Sequence, residues 1–198
     1  MPDTKYCYTD SDILKNKLGI MDKDKLLRAE IDLATLRLLG LEMHPVKGRF
    51  DFDHLKSIHK YVFQDLYDWA GETRTVNIGK GNLFCLVQHI DGFAKSIFST
   101  YAKECFSVKN SHEKFVKTLA KHYGDLNALH PFREGNGRTQ REFARELCLA
   151  CGYDFDLSFT NHEDMLSASI ASFNKEDNSY FEAIFSKAVQ PIEHNKLQ

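Results

Sequence analysis

The chain has 198 residues, 42% of them hydrophobic, a size and apolar content suited to one domain with a substantial core. A formal net charge of -2, with acidic and basic residues interspersed, excludes a polyanion-binding surface spread over the whole chain and gives no expectation of direct nucleic-acid contact. No apolar run approaches the roughly 20 residues that cross a bilayer, and the start, Met1-Pro-Asp-Thr-Lys-Tyr, has no apolar signal-peptide core, so no membrane contact and a cytoplasmic location are expected.

Helical periodicity dominates a sequence with only four prolines. A single mainly α domain over 1–198 is expected, with a core at about 50–160, an N-terminal helical segment at 10–45 and C-terminal helices at 161–190. In the first helix Leu27, Ile31, Ala34, Leu38 and Leu41 form an apolar stripe. Leu55, Ile58, Val62, Leu66 and Trp69 repeat the pattern over 53–70. Phe93, Ile97 and Tyr101 mark a helix at 91–105, and Val116, Leu119, Tyr123 and Leu126 one at 112–129. A further helix is expected from Arg138 to Cys151, stopped by Gly152, and two more at 161–173 and 176–190, the last ended by Pro191. Between the second and third helices the pattern breaks: β-branched residues flank Gly79-Lys-Gly-Asn82, which reads either as a connecting loop or as a short hairpin whose open edge pairs with an extended segment of a partner.

The segment His130-Pro-Phe-Arg-Glu-Gly-Asn-Gly-Arg-Thr-Gln-Arg141 concentrates the chemistry. Pro131 disfavours helical geometry at His130, so the preceding helix ends there. Gly135 and Gly137 can both take positive φ, which lets successive N–H groups converge into an anion cradle leading into a helix N-terminus. Arg138 and Arg141, three apart, share a helix face beside that cradle, and guanidinium forks suit phosphate oxygens. Glu134 is a hard oxygen ligand of the kind that holds Mg²⁺ together with substrate phosphates. Asn136 can donate two hydrogen bonds to phosphate oxygens. His130, with an ordinary pKa of about 6.5, suits proton abstraction from an attacking hydroxyl. Phe132 is expected to anchor the loop in the core.

The other reactive residue types read as structure. Cys148-Leu-Ala-Cys151 falls inside a helix and is expected to be core. His54, His59, His89, His112, His122 and His162 lack close metal-ligand spacing. Trp69 is expected on the second helix stripe.

The twelve-residue segment resembles the signature of the Fic (filamentation induced by cAMP) family, His-x-Phe-x-Asp/Glu-Gly-Asn-Gly-Arg-x-x-Arg, at every specified position. Asp68-Trp-Ala-Gly-Glu-Thr-Arg-Thr-Val-Asn-Ile-Gly-Lys80 is similar to the segment leading into the family's flap, and Ser11-Asp-Ile-Leu-Lys-Asn-Lys-Leu18 to the start of compact bacterial Fic toxins. The resemblance implies a helical Fic fold with a short β-hairpin flap, and transfer of AMP from ATP to a hydroxyl of a target protein. By position it implies His130 as base, Glu134 as Mg²⁺ ligand, Gly135, Asn136 and Gly137 as phosphate cradle, and Arg138 and Arg141 at the outer phosphates. Ile78, Gly79 and Lys80 would form the target-docking edge. Related proteins that transfer phosphate, phosphocholine or another nucleotide, and a binding module without turnover, are the alternatives. Many members restrain themselves with a helix bearing Ser/Thr-x-x-x-Glu-Gly/Asn; here the one Glu followed by Gly or Asn is Glu134, so the resemblance implies the toxin half of a pair, restrained at Arg141 by a small antitoxin.

Overall fold

The structure is a computed structural model that describes residues 3–80 and 82–192. Among these residues seven α-helices run in the order α1 (Lys23–Met43), α2 (Phe52–Phe63), α3 (Ile90–Val108), α4 (His112–Leu129), α5 (Asn136–Ala150), α6 (His162–Lys175) and α7 (Ser179–Ala188). The expected mainly α class with a small hairpin is what the chain adopts. Strands β1 (Gly79–Lys80) and β2 (Asn82–Leu83) form that hairpin between α2 and α3, with its Gly81 tip outside the described residues. A second antiparallel ribbon pairs β3 (Tyr153–Phe155) with β4 (Val189–Pro191).

Helix α4 is the hub, packed against α3, α5, α6 and α7. Its expected stripe is inside: Leu119 and Leu126 are fully buried, with Val116 and Tyr123 beside them. Asp22 caps α1 through a hydrogen bond from Lys25 N, Asp51 caps α2 through His54 N, and Asn161 caps α6 through Asp164 N, so three helix starts follow from side-chain chemistry.

Several expectations need correction. Helix does not extend back to residue 10: α1 begins at Lys23, and residues 10–22 are irregular, tied down by the Cys7–Leu14 bridge and by Asn16, whose side chain closes a turn onto Ile20. The second helix ends at Phe63, not 70; Leu66 and Trp69 follow it in turns, where Trp69 packs between Tyr6, Tyr67 and His59. The last helix ends at Ala188 because the chain then pairs with β3, three residues before Pro191. On α1 the stripe is rotated: Leu26, Glu30, Ala34 and Leu41 face inward, while Leu27 and Ile31 are exposed by half.

Cys148 and Cys151 are buried free thiols, and burial pushes both up, Cys151 to about 11, so both remain unreactive core groups.

Candidate active site

The loop between α4 and α5 closes one end of the hub. Leu129 ends α4, and His130 takes left-handed backbone angles, φ 44° and ψ 60°, with its N–H still donating to Leu126 O at 3.1 Å. That conformation is strained for a residue with a Cβ and persists only where surroundings enforce it. Arg74 does so from outside the motif. It is 1% exposed, its Nε donates to His130 O at 2.8 Å, and its backbone N–H donates to Pro131 O at 2.8 Å. The same guanidinium donates to Val76 O and Cys85 O, so one buried arginine ties both feet of the hairpin to the loop that starts at His130. Burial holds its pKa below the usual arginine value, and three carbonyl acceptors satisfy the cation.

The imidazole of His130 lies flat on Phe84, with ring centroids 3.7 Å apart and planes 8° from parallel. Its Nδ1 lies 3.1 Å from Asn127 O. A carbonyl only accepts, so Nδ1 carries the proton and the neutral ring has its lone pair on Nε2. Phe84 follows β2 and also packs on Phe173 of α6, so the hairpin sets the plane of the ring.

Phe132 anchors the loop in the core as expected, 1% exposed. Its ring stacks on His59 at 3.9 Å. His59 Nδ1 accepts from Gly71 N at 2.8 Å, which fixes Nε2 as the donor to Glu134 O at 3.0 Å. Burial lowers its pKa to about 3, keeping it a neutral brace.

Of the two glycines, only Gly135 has positive φ, 79°, as the residue preceding α5. A Cβ there would also meet the Phe63 ring at 2.3 Å. Gly137 lies within the first turn of α5; it lacks a side chain where one would crowd Arg141 Nη1, 3.2 Å from an added Cβ. Thr139 N is the first to donate back to Gly135 O, leaving the N–H groups of residues 136–138 at the open helix end beside the cleft. The Asn136 side chain is buried and turned inward: Oδ1 accepts from Phe132 N at 2.9 Å and Nδ2 donates to Phe132 O at 2.8 Å. Its amide closes the loop, and its backbone N–H is the part of Asn136 that belongs to the cradle.

These groups line a cleft of about 480 Å³ containing His130, Glu134, Gly135, Gly137, Arg138 and Arg141. The Glu134 side chain is half exposed, with Oε1 accepting from Gly135 N at 2.8 Å. A single carboxylate at an open helix N-terminus fits a divalent ion that takes its remaining ligands from substrate phosphates and water. Arg138 stacks its guanidinium 4.8 Å over Phe63 and lies 3.8 Å from Glu134. Arg141 reaches the cleft beside Tyr123, whose hydroxyl burial pushes up to about 12 against the pull of that guanidinium. Ile78 is half-buried and Gly79 exposed on the hairpin, where Ile78 O accepts from Phe84 N at 3.1 Å. Lys80 pairs in register with Asn82.

Contributors outside the motif include Phe84, Asn127, Arg74, His59, and Glu30 of α1, which pairs with Arg138 and accepts from the Tyr67 hydroxyl. Sequence reading misses Glu30 because it sets the α1 stripe on Leu27 and Ile31; Glu30 sits four residues from both Leu26 and Ala34, on the face that the structure buries. Arg74 gives no signal beyond its position before the hairpin.

Comparison with known proteins shows the family. The profile of the Fic/DOC family matches residues 49–148. The chain is 41% identical over 169 residues to the protein adenylyltransferase VbhT of Bartonella schoenbuchensis, covering 84% of this chain but 35% of that longer protein. It is 36% identical over 186 residues to the probable protein adenylyltransferase Fic of Salmonella typhimurium, covering 93% and 91%. The structure of the effector protein BepC of Bartonella tribocorum, with bound AMPPNP, superposes with a TM-score of 0.89 at 26% identity, over 96% of this chain and 98% of that one. With the motif folded around one cleft and relatives matched along most of its length, the chain belongs to the Fic/DOC family.

Proposed function

We propose that this protein is a protein adenylyltransferase that moves AMP from ATP to a hydroxyl side chain of a target protein. The observation that carries the reading is His130, its Nδ1 committed to Asn127 O, facing the same cleft as the α5 N-terminus and Arg138 and Arg141. The target oxygen forms a bond to the α-phosphorus, and the bond to the pyrophosphate oxygen breaks. The hydroxyl proton passes to His130 Nε2, and pyrophosphate leaves. Backbone N–H groups at the helix start and the two guanidiniums stand where the phosphate charge collects, so positioning and electrostatics supply the acceleration. Glu134 would hold Mg²⁺, which when bound neutralises phosphate charge.

The hairpin would present the outer edge of β1, at Ile78, Gly79 and Lys80, to an extended target segment. Control from outside belongs to the same proposal: a small antitoxin would supply a glutamate to Arg141, a reading drawn from the sequence, with the chain as toxin.

Incubating the protein and a lysate with ATP labelled at the α- or the γ-phosphate tests the activity. Label entering protein from the α-position alone is expected; label from the γ-position would make the reaction phosphoryl transfer, and label from neither would leave a binding module.

A further inference from the structure

The cleft wall contains a carboxylate that neither the motif nor the proposed chemistry uses. Glu30 projects from α1 between the exposed side chains of Leu27 and Ile31, all three in the wall of the nucleotide cleft. The residue is 7% exposed. One carboxylate oxygen accepts from Arg138 Nη2 and the other from the hydroxyl of Tyr67, itself 1% exposed. Glu30 therefore contacts the guanidinium that faces the phosphate cradle and is anchored there from behind.

We propose that Glu30 is a resident counter-ion of the phosphate site: it neutralises Arg138 in the empty protein and lowers affinity for nucleotides whose phosphate chain reaches that arginine. This rests on the nucleotide-binding reading above. Two effects of the pair oppose each other. Anchoring Arg138 saves the entropy of ordering one side chain, a small gain. A carboxylate 7% exposed and in contact with the arginine that the phosphate chain would reach repels every charge on that chain, and Coulomb energy at such a desolvated group exceeds a single rotamer's entropy. The repulsion wins, so the pair restrains binding. A monophosphate seated at the start of α5 has no outer phosphates to extend toward Arg138 and experiences less of it.

Substituting Glu30→Gln keeps the shape and both contacts, since the amide oxygen accepts from Arg138 and the amide nitrogen donates to Tyr67 Oη. Calorimetry with ATP and with AMP, in a chelator so that no divalent ion takes part, reads the effect. The variant is expected to bind ATP about tenfold tighter or more, with AMP affinity within about twofold of the parent. Glu30→Asp, which keeps the charge but is one methylene short of the contact, is expected to stay within about twofold of the parent for ATP. Weaker ATP binding by both variants would overturn the proposal in favour of anchoring, and equal shifts for ATP and AMP would also overturn it. Failure of every protein to bind ATP, both in the chelator and with Mg²⁺ restored, would sink the functional reading along with it, whereas parental ATP binding unmoved by Glu30→Gln would sink this inference alone.

Discussion

His59 shows how far the site depends on side chains outside the motif. Buried, neutral and bonded at both ring nitrogens, it braces the loop from beneath through Glu134 O and Phe132. Because burial lowers its folded pKa to about 3 while the unfolded chain keeps about 6.5, the unfolded state takes the proton first. Its stabilising contribution is complete above pH 6.5 and declines as pH falls toward 3, by about 1.4 kcal/mol per pH unit. Urea unfolding at pH 7.5 and pH 5.0 is expected to show a loss on the order of 2 kcal/mol from this residue, and His59→Gln should flatten that dependence. An unchanged slope in the variant would show that His59 is not the acid-sensitive group. The residue scale is also where sequence reading succeeded and failed for separable reasons. His130, Glu134, Gly135, Arg138 and Arg141 are adjacent in sequence, so residue type and spacing brought them together. The inward turn of Asn136 and the helical φ of Gly137 depend on where α5 begins, two residues earlier than the glycine spacing suggested.

At the element scale the hairpin and the catalytic loop form one unit. Arg74 supplies donors to His130 O, Val76 O and Cys85 O, and Phe84 covers the His130 ring. Arg74→Met would take the Arg74 side-chain donors from three half-buried carbonyls, a loss of roughly 2–5 kcal/mol. Chemical denaturation measures that loss, and hydrogen exchange should show faster exchange in the hairpin amides. A loss under about 0.5 kcal/mol, the size of an ordinary surface substitution, would disprove the clamp. The outer edge of β1 makes a separate prediction. If the target docks by strand addition as proposed, Ile78→Asp should reduce its labelling by about tenfold or more while ATP affinity stays near the parent's, because the proposed docking edge is separate from the nucleotide cleft. The α2 stripe runs on into the turns after Phe63, whereas helices α3 and α4 were legible because each buries one continuous stripe. Helix α1 was not, since it carries apolar residues on several sides: Leu36, Leu39 and Met43 are exposed along with Leu27 and Ile31. Strand β4 was illegible because three residues carry no period, and its partner β3 lies more than thirty positions earlier.

Across the whole molecule, α4 carries the core and delivers His130 at its end, while the β3–β4 ribbon brings the chain after α7 back to the residues following α5. The cleft lies against this hub, and α1 and α6 both line it, through Ile31 and Met165. A ligand that binds only the folded cleft stabilises the entire domain. ATP with Mg²⁺ at a hundred times its dissociation constant should add about 2.7 kcal/mol and raise the melting temperature, and Arg141→Ala should weaken that gain. An equal rise in the variant would place the nucleotide elsewhere. Among the described residues no helix is long and apolar enough to cross a membrane. The central claim is tested most directly by mass-spectrometric mapping of lysate proteins after incubation with ATP and either the parent protein or His130→Ala. The account predicts AMP on a hydroxyl side chain of a defined target peptide with the parent, and its loss by a factor of about 10²–10⁴ with the variant. Equal modification by the two proteins would contradict it.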